Sequence, residues 1–152
     1  MDKSFEYNIA SNYLNRAREL QSQILQMDLD IKFRKLSSRS SFKDINDSIQ
    51  IHYLQNQKMS IISERDSNIS SAITYAAEIL IYEIDRQVSG IFSLGAMLIN
   101  NIQSFLSIYD IKVNVSVIAR TQLAELSFKL GLPSLTDIEI ASTLDKLKRH
   151  LY

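Results

Sequence analysis

No glycine or proline occurs before Gly90, and the whole 152-residue chain holds three Gly and one Pro. Strands need tight turns, and tight turns draw heavily on those two residues. A run of this length without either points to long helices joined by few connections. The expected fold is all-α, a compact bundle of about five or six helices with a long N-terminal amphipathic helix and a C-terminal αα-hairpin. Hydrophobic residues make up 45% of the chain, enough for one domain with a real core over residues 1–152.

The longest pattern comes first. From about residue 4 to residue 36 the apolar positions recur as Phe5, Ile9, Tyr13, Ala17, Leu20, Ile24, Met27 and Ile31. After Ala17 the steps run three, four, three, four, the seam of a helix packing lengthwise on another. Leu14, Leu25, Leu29 and Phe33 widen this stripe beyond a strict coiled-coil seam. Ile9, Tyr13, Ala17, Leu20, Ile24, Met27 and Ile31 are the candidate interaction residues. A Ser-rich connection over 37–44, SSRSSFKD, should follow, with Ser41 or Asp44 capping the next helix. A weaker stripe (Ile45, Ile49, Tyr53, Ile62) covers 45–63. The polar run ERDSNISS then suggests a break capped by Ser67 or Asn68, after which Ile69, Ile73, Ala76, Leu80 and Ile84 mark another helix.

The stretch VSGIFSLGAMLINNIQSFLSIY, Val88 to Tyr109, contains no charged residue. It is long enough to cross a bilayer, but Asn100, Asn101, Gln103 and four serines weigh against that. A helix apolar most of the way round is normally enclosed by its neighbours. Ile91, Leu94, Leu98, Ile102, Phe105 and Tyr109 therefore predict a central helix that Gly90 and Gly95 let others approach closely. A segment at 88–109 that inserts into membrane on demand is the remaining alternative.

Ile111, Val113, Val115 and Val117 alternate in an extended connection, with Asn114 as the cap of a helix starting near Val115. That helix should bury Val115, Ile118, Leu123, Leu126 and Leu130, and end at Gly131 in the left-handed cap conformation, with Pro133 preventing continuation. Thr136 and Glu139 then form a capping box, opening a last helix with Ile138, Ala141, Leu144, Leu147 and Leu151 inward.

Chemistry is sparse. Cysteine is missing and the only histidines are His52 and His150, so neither a thiol centre nor a multi-histidine metal site is available. Asp28 with Asp30, and Glu83 with Asp85, are spaced two apart and face different ways on a helix, unlike a general acid–base pair. The final STLDKLKRHLY superficially resembles HEPN-type nucleases, whose Arg stands several residues before a His. Asp145, Leu144 and Thr143 occupy those positions here, so the motif fails. LSFKLGLPSLTDIEI resembles the core of a helix-turn-helix, with Ser127 four residues before Gly131 and Leu126, Leu130, Leu132 and Ile140 around it. That resemblance implies a DNA-binding regulator using residues 121–149. Asp137 departs from the pattern where a buried apolar residue belongs, and with Glu139 it would bring negative charge towards phosphate.

Seventeen basic residues balance seventeen acidic ones, so no net field favours nucleic acid or an anionic membrane. The N-terminus carries charge throughout and lacks a secretory signal's apolar block. The expectation is a cytoplasmic, non-catalytic protein–protein interaction module of adaptor, chaperone or inhibitor type. It needs no cofactor or metal and binds another protein through apolar helix faces, self-association as a homodimer being one form of this.

Overall fold

The computed structural model describes residues 2–37, 41–88, 92–132 and 137–152. Five helices lie among them: α1 (Ser4–Ser37), α2 (Ser41–Asp85), α3 (Leu94–Ile108), α4 (Val117–Leu130) and α5 (Ile138–Lys148). The fold is all-α. The chain divides into two compact units, one of Met1–Asn15 with Asp66–Tyr152 and the other of Arg16–Arg65. Gly90, Ile91, Pro133 and Thr136, to which turns, a cap and a core position were assigned, lie outside the described residues, as do the side chains of Ser41 and Asp44.

In the larger unit, Ile69, Ala72, Ile73, Ala76, Ala77, Ile79 and Leu80 of α2 are all buried. Ala10 and Leu14 of α1 are buried as well, and Tyr13 stacks on Tyr75 with ring centroids 6.1 Å apart. The uncharged stretch does supply a core helix, although α3 is only 15 residues long. It buries Leu98, Ile99, Ile102, Phe105 and Leu106, while Phe92, Met97, Ile108 and Tyr109 stay exposed. Gly95 is where another helix comes close. A Cβ there would stand 2.6 Å from the Leu80 backbone nitrogen and 2.7 Å from Leu80 Cα, so only glycine fits the crossing.

The start of α3 is fixed by a buried carboxylate. Glu83 accepts hydrogen bonds from Ser93 Oγ (2.9 Å) and from the backbone N–H groups of Leu94 (2.9 Å) and Gly95 (2.8 Å). Ser93 Oγ in turn accepts from Ala96 N–H. These contacts satisfy donors that a helix N-terminus leaves without intrahelical partners, and they set negative charge at the positive end of the helix dipole.

Several local expectations are corrected. The polar run at 64–71 does not interrupt α2, and Ser67 and Asn68 lie within that helix and not at the start of one. Its polar residues serve other segments. Asp66 accepts from Asn114 N–H (3.1 Å) and Ser70 Oγ from Ser116 N–H (3.0 Å). Asn114 is not the cap of α4; Ser116 is, one turn before Ala119, whose N–H its side chain accepts. The alternating valines do find a partner. Val113 N–H donates to His150 C=O (2.8 Å) and Tyr152 N–H to Val113 C=O (3.0 Å), an isolated parallel bridge with Leu151.

Gly131 ends α4 with φ −77°, a right-handed conformation, and donates back to Ser127 and Phe128 carbonyls. The left-handed positions belong instead to Gln87 (φ 56°) and Asp110 (φ 48°), which close α2 and α3. In both, the next N–H reaches back five residues: Val88 to Glu83 C=O, Ile111 to Leu106 C=O. This is the Schellman arrangement built without glycine. Asp137 caps α5 by accepting from Ile140 N–H at 3.1 Å. Ile118 (65% exposed) and Ile138 (82%) do not face the core; Ala119, Leu123, Leu126, Leu130, Leu144 and Leu147 do. α5 contacts α4 and, more extensively, α3.

In the smaller unit, the 16–37 stretch of α1 pairs antiparallel with the 41–65 stretch of α2. Arg16 meets Glu64 (3.2 Å) and Asp28 meets Lys58 (2.5 Å), so residue numbers rise on one stretch as they fall on the other. Arg65 Nη1 donates to Gln21 Oε1 at 2.8 Å with both side chains buried. Such an acceptor offsets part of the desolvation cost of a buried guanidinium.

Candidate interaction surface

The seven seam residues distribute between the units. Ile9 and Tyr13 are half-buried in the larger unit. Ala17, Leu20, Ile24 and Ile31 are buried in the smaller one, where Met27 is half-buried. The inner face of α1 over 17–31 is thus occupied from within the chain. It fixes the fold, each large side chain contributing about 1.5–3 kcal/mol by leaving water.

The open apolar surface is on the outer faces of the same helices. Leu25, Leu29, Phe33 and Leu36 are exposed at steps of four, four and three, one line along α1. Ile45, Ile49 and Tyr53 repeat at steps of four along α2, and Met59 is also exposed. The contrast within α1 is large: Ile24 is 4% exposed and Phe33 68%. Sequence periodicity placed Leu25, Leu29 and Phe33 at the margin of one wide stripe; they form a second one. The signal was in the numbers, since Leu25 follows Ile24 by one residue, about 100° round the helix. Between the stretches lies an open groove lined by Gln23, Gln26, Met27, Leu54, Gln57, Ser60 and Ile61.

Charge along α1 is ordered. Asp28 pairs with Lys58 through Oδ1 and Asp30 with Arg34 at 3.4 Å. No acid among the described residues forms an ion pair with Lys32 or Lys35, both exposed. Arg16 is raised above its usual range by its hydrogen bonds to Glu19 and Glu64.

Chemistry-bearing groups elsewhere are few. His150 Nδ1–H donates to Ile111 C=O (3.0 Å), leaving Nε2 to accept from Ser107 Oγ (3.2 Å), which itself accepts from Gln103 Nε2–H (2.6 Å). A carbonyl, not a carboxylate, orients the imidazole, and with Lys112 Nζ on Arg149 C=O the set ties the C-terminus to 107–113. No group of three or more His, Asp or Glu that could hold a metal ion occurs among the described residues. None of the described helices is long and apolar enough to cross a membrane. Between α4 and α5 the sequence runs from Gly131 to Asp137, longer than the three- or four-residue turn of a helix-turn-helix. Glu139 is exposed at the start of α5. Searches with family models, against curated proteins and against solved structures find no match to this chain.

Proposed function

We propose that the chain is a protein–protein interaction module whose contact surface is the outer apolar stripes of the 16–65 unit. One observation carries this reading: Leu25, Leu29, Phe33 and Leu36, with Ile45, Ile49 and Tyr53, remain exposed at helical spacing, on a stretch of α1 whose inner face is buried and a stretch of α2 whose inner face, Leu54 and Ile61, is half-buried. Monomeric proteins expose single hydrophobic residues freely, but aligned rows mark contact sites. The mechanism is burial of a row of knobs against a matching helix or groove, with flanking charges selecting the partner.

The test is a photo-crosslinking amino acid placed singly at Phe33, Ile49 and Tyr53, with Gln55 and Ser63, exposed polar sites on α2, as controls. Illumination in the producing cells should give one protein adduct of defined mass at the stripe positions, lost on Leu29→Glu or Ile49→Glu. Adducts at Gln55 and Ser63 equal to those at the stripes would refute the assignment.

A further inference from the structure

We infer that the stripe on α1 is self-complementary and takes a second copy of this chain, antiparallel, about a two-fold axis near Ile31. The inference rests on the interaction reading above and names its partner. A two-fold interface requires one patch that matches itself when reversed. Around Ile31, Leu29 stands two residues before and Phe33 two after; Leu25 stands six before and Leu36 five after. Reversal therefore sets Leu29 against Phe33 and Leu25 against Leu36, a large side chain meeting a large side chain at each level.

The charges reverse in the same register. Asp28, Lys32 and Lys35 follow one another at four and three residues and so share one flank of the stripe. The acid lies before the centre and the bases after it. In the antiparallel pair, Asp28 of each copy enters between Lys32 and Lys35 of the other. Asp28 pairs with Lys58 through Oδ1 while its side chain stays 45% exposed, so a second cation can approach it, and the two lysines gain the acid they lack among the described residues. In a parallel pair this flank would instead meet the opposite flank of the other copy, and Asp28 would not reach Lys32 and Lys35. The chain as a whole is neutral, so two copies meet without net repulsion. One helix line on another buries an area at the small end, on the order of 1,000 Å² in total, and the dimer should be weak and concentration-dependent.

Sedimentation of the full chain from about 5 to about 500 µM covers the range expected for such a contact. The average mass should rise from 17.4 kDa towards twice that value. Leu29→Glu and Phe33→Glu should each abolish the rise with the helical circular dichroism unchanged, and Lys35→Glu should weaken it about tenfold. Register is read by oxidation: a Leu29→Cys chain mixed with a Phe33→Cys chain should give mainly the mixed disulfide. Self-linked products alone would mean parallel pairing and overturn the antiparallel assignment. A chain that stays monomeric throughout overturns self-pairing while leaving the stripe to another protein, which the photo-crosslinking decides. A dimer unaffected by either Glu substitution overturns the stripe itself.

Discussion

Residues 41–65 and 66–85 belong to one uninterrupted helix, α2, yet they use apolar side chains in opposite ways. In 66–85 the helix is buried nearly all round, from Ile69 through Leu80. Ala72, Ala76 and Ala77 let neighbours approach, and Tyr75 and Leu80 meet Tyr13 and Gly95. In 41–65 there is no alanine, and Ile45, Ile49, Tyr53 and Met59 face solvent. Hydrophobicity alone does not decide burial. What differs is whether small residues and polar anchors on other segments exist to bring neighbours against the helix. The 66–85 stretch is built as a core and the 41–65 stretch as a surface backed by a thinner core.

That comparison can be broken at its strongest points first. Ile24→Asp places a charge in the inner face of the smaller unit and should cost about 4 kcal/mol, read by urea unfolding followed at 222 nm. A loss under about 1 kcal/mol would mean that the seam of α1 is not the core of that unit. Glu83→Ala leaves Ser93 Oγ and the N–H groups of Leu94 and Gly95 without their acceptor, and should cost about 3 kcal/mol in the same assay. Gly95→Ala should be destabilising by about 2 kcal/mol although alanine favours helix, because the added carbon meets Leu80 backbone. A stabilised Gly95→Ala would contradict the close crossing. The smallest effect has the opposite sign: Gln87→Gly relieves a left-handed position and should raise stability by about 0.5–1 kcal/mol, seen as a higher melting temperature.

Much of the architecture was legible because glycine and proline are so scarce. α1 was expected over about 4–36 and spans Ser4–Ser37; the uncharged stretch yields the buried α3. What escaped reading has a common physical cause. Asp66 and Ser70 look like residues that end a helix, since their side chains bond backbone N–H groups. They do so here, but on Asn114 and Ser116, nearly fifty residues away in sequence. A polar side chain does not announce whose backbone it will satisfy. The Schellman ends at Gln87 and Asp110 were hidden for the same reason, glycine being the usual signal. The candidate surface was half legible: periodicity found that α1 is apolar on more than a seam, but it could not tell the face filled from within the chain from the one left open.

The chain has no cysteine, which makes a direct measurement of that division clean. Single Ile24→Cys and Phe33→Cys variants, held at low micromolar concentration in native buffer, can be titrated with a thiol-reactive chromophore and timed. The Phe33→Cys thiol should react within a few-fold of its rate in denaturant, whereas the Ile24→Cys thiol should be slowed at least about a hundredfold by the opening free energy of the core. Equal rates at the two sites would contradict the claim that α1 has one face that holds the fold and another that meets a partner.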